Sequence, residues 1–211
     1  VKDVYIDDER WAVRYLVVDT GEWLPGRKVL ISPASVSPGP AKDDAIRVEL
    51  TREQVENAPA AEQAQPVSRL YEAAHARHYG HPYYWAGPYL WGPAPLPGAI
   101  PPTAGGREAV REREREMEQI EARARESHLR SSAELVGYRI AASDGEIGHV
   151  EDFLVDDQSW QVADMVVDTR NWLPGRKVRV PLSAIEHIDW NQREVRVRLS
   201  KEEIKRAPEA A

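Results

Sequence analysis

Short apolar and alternating runs predict six strands in the C-terminal part of the chain. Residues 194–199 alternate, with Val195, Val197 and Leu199 on one face, as in a half-buried strand. Between the first two runs, Asp144-Gly145 suits a tight turn with positive φ. Six strands joined by short turns in under 80 residues favour a small closed barrel, which leaves no bare sheet edge. The predicted strands are 137–142, 148–155, 162–168, 177–181, 185–189 and 194–199.

The N-terminal part repeats this pattern at a fixed distance. Val17-Val18-Asp19-Thr20 returns as Val166-Val167-Asp168-Thr169, and Trp23-Leu24-Pro25-Gly26-Arg27-Lys28-Val29 returns as residues 172–178, both 149 positions later. An ungapped alignment of 1–59 on 150–208 holds 23 identities in 59 positions. A match of that length indicates an internal duplication and predicts two barrels of the same fold.

A short helix is predicted at the end of each copy. Thr51-x-x-Gln54 and Ser200-x-x-Glu203 are capping boxes, in which the hydroxyl accepts the N3 amide and the N3 side chain reaches back. Each helix is expected to stop before an Ala-Pro pair, because proline disfavours helical geometry in the residue preceding it. The first copy has no counterpart of residues 137–149, so its opening strand and hairpin are missing. Truncation is the simpler expectation, and a patch from another segment is the alternative.

The residues between the copies have a different composition. Residues 80–106 contain seven prolines and six glycines, which exclude a regular helix or a central strand. Because a disordered linker is normally poor in aromatic residues, we expect this segment to be an ordered strap against one or both barrels. Residues 107–130 are dense in Arg and Glu three or four positions apart and predict a solvated charged helix, with a self-pairing helix as the alternative. The predicted domains are thus a first barrel (1–59), a linker (60–131) and a second barrel (132–211).

The segment Gly-Tyr-Arg-Ile-Ala-Ala-Ser-Asp-Gly-Glu-Ile-Gly-His-Val-Glu-Asp-Phe-Leu-Val-Asp-Asp at 137–157, with the Val-Val-Asp-Thr and Trp-Leu-Pro-Gly-Arg-Lys-Val blocks that follow, resembles the PRC-barrel family. That family includes the cytoplasmic domain of the photosynthetic reaction-centre H subunit and the C-terminal domain of a ribosome-maturation factor. The resemblance implies an all-β protein of two six-stranded barrels that binds or stabilises a macromolecular partner without catalysis. An H-subunit-like role in supporting electron transfer and proton delivery within a membrane complex is the alternative. A role linked to RNA, as in the maturation factor, is a further alternative.

Aromatic side chains are the candidate partner-binding or interdomain residues. Trp23 and Trp172 occupy the Trp-Leu-Pro-Gly turn of each copy, where the indole either covers the barrel end or serves as an exposed anchor. The strap supplies further rings, which either pack on the barrels or stay exposed as a docking patch. These strap residues are Tyr83, Tyr84, Trp85, Tyr89 and Trp91.

No catalytic, metal or cofactor site is predicted. His75, His78 and His81 are spaced like helical metal ligands, but Gly80 and Pro82 interrupt the helix before the third, which favours an incidental role. A metal enzyme built on them is the alternative. The pairs Asp7-Asp8 and Asp156-Asp157 precede a tryptophan in both copies and suit turn capping, because adjacent strand side chains point to opposite faces.

Composition narrows the class of partner. The net charge of −7 disfavours nucleic acid, whose phosphates require clustered Lys and Arg. The apolar runs are far shorter than the ~20 residues of a spanning helix. Cysteine is absent, which fits a cytoplasmic location and excludes disulfides and thiolate metal sites. The expected partner is therefore a protein, with a homodimer left open.

Overall fold

A computed structural model describes residues 1–37, 39, 45–59, 67–99, 128–169 and 176–210, and shows a mostly β protein with two sheets. The N-terminal elements are β1 (Asp3–Asp7), β2 (Ala12–Asp19), β3 (Lys28–Ile31), α1 (Arg52–Glu56) and α2 (Arg69–Tyr79). The C-terminal elements are β4 (Leu129–Ser131), α3 (Ser132–Leu135), β5 (Arg139–Ala142), β6 (Gly145–Val155), β7 (Val162–Asp168), β8 (Lys177–Pro181), β9 (Ile185–Asp189), β10 (Glu194–Val197) and α4 (Lys201–Lys205).

The larger sheet contains the six strands expected for the C-terminal copy, in the order β8-β7-β6-β5-β10-β9. Neighbouring strands are antiparallel except β5 and β10, which run parallel. Within the described residues no ladder joins the outer strands β8 and β9, so closure into a barrel stays a prediction.

The smaller sheet has four strands, in the order β3-β2-β1-β4, and the prediction of six strands is not met in the described residues. Residues 1–59 align with residues 150–208, a range that does not include β5. The edge of β1 is instead paired by β4, with Tyr5 opposite Ser131, so a segment from elsewhere in the chain patches this sheet. The Asp3 carboxylate fastens the patch by accepting bonds from the hydroxyls of Ser131 (2.6 Å) and Ser132 (3.1 Å).

Elements of the two halves recur at the spacing of the sequence repeat. The order β3-β2-β1 matches β8-β7-β6, and α1 and α4 both begin in the capping box expected of them. A 3-10 turn at Pro33–Ser35 corresponds to one at Leu182–Ala184, 149 residues later. The local structure is therefore similar at these aligned positions.

The two halves meet through a reciprocal pair of backbone hydrogen bonds. The amide of Val13 donates to the carbonyl of Trp160 (2.9 Å), and the amide of Val162 donates to the carbonyl of Trp11 (2.8 Å). Val13 and Trp11 are 149 positions before Val162 and Trp160, so the exchange is symmetric. Both tryptophans have positive φ, 52° and 59°, and apolar residues of both halves share one core cluster. The sheets are thus joined about a local twofold axis.

The linker is only partly described. Residues 100–127, which hold most of the predicted charged helix, lie outside the described residues. Its predicted end is corrected, because Leu129 and Arg130 belong to β4, where they pair with β1. The helix α2 precedes the aromatic segment and ends at Gly80, whose φ of 69° closes it.

Candidate functional site

A buried arginine marks the face of β2 that the linker covers. Arg14 interrupts the apolar run of β2 and is 1% exposed. Its Nη2 and Nε atoms lie 2.8 and 3.1 Å from Oδ2 of Asp7 on β1. A buried charge is tolerated only when it is paired and hydrogen-bonded, and this pair satisfies that condition.

Rings of the aromatic segment, residues 80–99, close over Arg14. The guanidinium carbon lies 3.9 Å from the ring centroid of Tyr84 and 4.9 Å from that of Trp91, in cation–π geometry. Nη1 of Arg14 donates to the carbonyl of Leu90 at 2.7 Å. The described part of the segment is ordered against the first sheet, as the strap interpretation requires.

Trp91 also reaches the second half of the chain. Its indole N–H donates to the carbonyl of Ser159 at 2.8 Å, in the turn between β6 and β7, and the residue is 5% exposed. Oδ1 of Asp156 caps that turn by accepting from the amide (2.7 Å) and hydroxyl (2.6 Å) of Ser159. One ring therefore contacts both sheets.

The predicted turn role of the paired aspartates is confirmed for the first member of each pair. Oδ1 of Asp7 accepts the amides of Glu9 (2.9 Å) and Arg10 (3.2 Å), as Oδ1 of Asp156 does in its own turn. Hydrogen bonds from Ser159 hold the pKa of the Asp156 carboxyl below its usual range. Only the first copy adds a buried arginine to the capping carboxylate.

A second buried charge lies beside the first. Glu72 on α2 accepts from the Tyr84 hydroxyl at 2.5 Å, and its Oε1 is 3.2 Å from Nη1 of Arg69. Burial raises the pKa of the Glu72 carboxyl to about 7, against the opposing effect of Arg69. Burial, followed by the charge of Glu72, also raises the pKa of Tyr84 well above its usual value. We call Asp7, Arg14, Arg69, Glu72 and Tyr84 the buried charged cluster.

The three linker histidines make separate contacts. Nε2 of His75 is 2.8 Å from the Leu30 carbonyl, Nε2 of His78 is 2.7 Å from the Gln54 carbonyl, and Nε2 of His81 is 3.0 Å from the Ser35 hydroxyl. Burial lowers the pKa of His75 to about 4, so its imidazole is neutral at pH 7. These partners support the incidental interpretation of the histidine spacing.

The other predicted aromatic residues differ in exposure. Trp23 is half-buried, with its indole N–H 3.0 Å from Oε1 of Glu56 and the Arg52 guanidinium 4.7 Å from its ring centroid. Trp172 lies outside the described residues. Tyr83 and Trp85 are half-buried and pack on each other, whereas Tyr89 is 52% exposed.

The space under the aromatic segment is small. A cavity of about 20 Å³ lies between it and the first half of the chain, lined by residues including Tyr15, His75, Tyr84 and Trp91. That volume holds about one water molecule. This cavity therefore does not accommodate a metabolite.

Three side chains in the second sheet are close enough to share a metal ion. Potential ligand atoms of His149, Glu151 and Asp168 lie within 4.8 Å of one another. However, Nζ of Lys177 is 2.7 Å from Oε1 of Glu151, so a cation from the protein already neutralises this carboxylate. Nε2 of His149 in turn lies 3.7 Å from Oδ2 of Asp168, so all three side chains have partners within the protein.

The buried charged cluster was not predicted from the residue pattern. One signal was available: Arg14 is the only charged residue between Ala12 and Val18, and the repeat has Ala163 in its place. Nothing local marks Glu72 as buried, because Arg69 and Arg77 of the same helix are charged as well.

Comparison with known sequences gives one family. Residues 128–204 match the PRC-barrel domain, a range that runs from before β4 into α4. No curated protein matches the chain. Among the helices of the described residues, none has the length and apolarity needed to span a membrane.

Proposed function

Because residues 128–204 form a PRC-barrel domain, we propose that the chain is a non-catalytic scaffold protein that docks a protein partner. We further propose that residues 1–59 are a divergent second copy and that residues 60–131 link it to the domain at 132–211. The 23 identities in 59 positions and the matching order of three strands support the second copy.

The observation that carries the proposal is the dual contact of Trp91. Its ring covers Arg14 of the first half while its N–H bonds Ser159 of the second. Together with the reciprocal bonds at Trp11 and Trp160, this contact fixes the halves relative to each other. Rigid placement of two faces provides a composite surface, which binds a partner with little ordering cost.

The ionisable groups of the buried charged cluster support a structural role for this site. Each is engaged with another member, and the aromatic rings cover them. The proposed role therefore uses the outer surface of the protein. The alternative, a role like that of the reaction-centre H subunit, stays a prediction that no contact in the described residues favours.

Affinity capture with variants tests the composite surface. The immobilised 211-residue chain is expected to retain a specific protein from extract of its source cells, and Trp91→Ala is expected to lose it. Leu70→Ala is the control, because this side chain is 63% exposed on α2 and was not among the candidate partner-binding residues. Trp91→Phe keeps a ring while removing the bond to Ser159, and guards against a folding defect. Capture that is equal for wild type and Trp91→Ala would contradict the composite surface, and failure of the wild type to retain any specific protein would contradict docking itself.

A further inference from the structure

A row of polar side chains crosses three strands of the larger sheet. His149 on β6 is the ladder partner of Asp168 on β7, and Asp168 is in turn the partner of Lys177 on β8. Directly opposite residues of neighbouring strands place their side chains on the same face of the sheet. The carboxylate of Glu151 joins this row, because it lies within 4.8 Å of the ligand atoms of His149 and Asp168. One imidazole and two carboxylates thus converge on this face.

The backbone of β6 is irregular at Glu151. The ladder with β7 passes from Val150 directly to Asp152, so Glu151 is the extra residue of a β-bulge. A bulge re-aims a side chain, and bulges are over-represented next to active sites. The position of the Glu151 carboxylate therefore comes from a local feature of the strand and not from simple alternation.

The distance between His149 and Asp168 suits two ligands of one ion. Nε2 of His149 is 3.7 Å from Oδ2 of Asp168, which exceeds the limit of about 3.2 Å for an N–H···O hydrogen bond. Two atoms that each lie about 2.0–2.2 Å from one zinc ion in tetrahedral geometry are about 3.3–3.6 Å apart. The two side chains therefore need to approach each other by only about 0.1–0.4 Å to share a zinc ion.

The ammonium group of Lys177 is a competitor that an ion can displace. Its Nζ is 2.7 Å from Oε1 of Glu151, but the lysine side chain is 48% exposed, so the ammonium can move into water. An exposed ion pair contributes little to stability, which makes this displacement cheap. The Asp168 side chain is 2% exposed and is held in place, whereas that of His149 is 37% exposed and leaves the group open to solvent.

We propose that His149, Glu151 and Asp168 bind one zinc ion, with a water molecule as the fourth ligand. Imidazole favours transition metals such as zinc, whereas Mg²⁺ and Ca²⁺ favour sites made of oxygen atoms alone. The ion joins β6 to β7 within the PRC-barrel domain. This site goes beyond the docking function above and does not depend on it.

Calorimetric titration of zinc chloride into the metal-free 211-residue chain tests the site. Saturable binding of one ion per chain is expected, because the first copy has Lys2 at the position aligned with Glu151. His149→Gln and Glu151→Gln should each weaken zinc binding by about tenfold or more, since the loss of an outer-shell partner alone typically costs that much. His187→Gln is the matched control, because this histidine is exposed on β9 outside the group, and it should bind zinc like wild type.

Lys177→Gln should change zinc affinity in the opposite direction. Removing the competing ammonium leaves the two carboxylates to the ion, so binding should tighten by about threefold or more. Zinc in excess should also raise the melting temperature of the wild type, because an ion that binds only the folded state stabilises it. The double variant His149→Gln with Glu151→Gln should show no such shift. Far-UV circular dichroism checks that each variant is folded, which is expected because the Glu151 side chain is 32% exposed.

Three results would overturn the proposal. One is the absence of saturable zinc binding by the wild type. Another is zinc binding of unchanged affinity in the double variant, because the ion would then lie elsewhere, for example at the linker residues His75 and His78. The third is magnesium chloride binding as tightly as zinc chloride, which would contradict a site that depends on imidazole. None of these results bears on affinity capture of a protein partner, so the docking function would stand or fall separately.

Discussion

Arg14 and Asp7 form the charged pair with the greatest consequence for stability. Both are buried, so removing the cation alone leaves a carboxylate without its partner in a medium of low polarity. Arg14→Met should therefore lower the free energy of unfolding by about 3–5 kcal/mol, measured by urea denaturation.

The matched control is Arg179→Met in the second sheet. Arg179 forms the corresponding type of cross-strand pair with Asp164, but its side chain is 43% exposed. Water replaces the lost contact there, so the expected cost is at most about 1 kcal/mol. Equal losses in the two variants would contradict the importance assigned to burial.

Glu72 and His75 give opposite pH dependences on one helix. Burial raises the Glu72 pKa from 4.5 to about 7, so the folded state holds its proton more tightly and stability falls as pH rises from 4.5 to 7. Burial lowers the His75 pKa from 6.5 to about 4, so stability falls as pH drops from 6.5 to 4. Each group changes the free energy of unfolding by about 1.4 kcal/mol per pH unit. Between pH 4.5 and 6.5 the two changes have opposite signs and offset each other.

Single substitutions separate the two effects. Relative to wild type, the free energy of unfolding of Glu72→Gln should increase by on the order of 3 kcal/mol as pH rises from 4.5 to 7. The free energy of unfolding of His75→Gln should increase relative to wild type as pH falls from 6.5 to 4. Urea denaturation at several pH values measures both differences. A Glu72→Gln difference that stays constant across this range would show that the carboxyl titrates normally.

Residue pattern alone did not reveal this site, because burial of a charged helix residue depends on what packs against it. The apolar run around Arg14 was visible, but its covering ring, Tyr84, comes from 70 positions later in a segment without regular structure. The aromatic residues predicted that this segment is ordered, but that prediction included no buried charge beneath it.

At the scale of elements, the aromatic segment depends on Gly92. This residue has a φ of 74°, and a Cβ there would collide with the carbonyl oxygen of Tyr83. Gly92→Ala should therefore destabilise the segment by more than the ~1 kcal/mol of positive φ alone. Limited proteolysis within residues 80–99 measures the loss. Gly21→Ala is the control, since its φ is 59° but its surroundings are open, and equal protection of both variants would contradict the close approach.

Strands in the second half were predictable from pattern, because hydrophobic alternation and the Asp144-Gly145 turn are local signals. β4 was not, because Leu129-Arg130-Ser131 continues a charged stretch whose composition favours a helix. Its strand conformation comes from pairing with β1, more than 120 positions away. Long-range pairing of this kind overrides local preference.

At the scale of the whole molecule, the shared core predicts cooperative unfolding. Apolar side chains of both halves belong to one core cluster, and Trp91 contacts both halves. Differential scanning calorimetry should show one transition with equal calorimetric and van't Hoff enthalpies. Trp91→Ala should cost about 3–5 kcal/mol and broaden or split this transition. Two resolved transitions in the wild type would contradict the coupling.

The reciprocal bonds between Val13 and Trp160 and between Val162 and Trp11 have a consequence for how such a protein arises. Two separate single-copy chains would form the same pair of bonds across an isologous dimer interface. Fusion converts that association into an intramolecular one, with an effective concentration of order millimolar. Fusion also allows the two copies to differ in sequence, so position 14 holds arginine while position 163 holds alanine. In a homodimer the buried charged cluster would occur in both subunits. In the fused pair it occurs in one half, and the sequence of the other half is free to diverge.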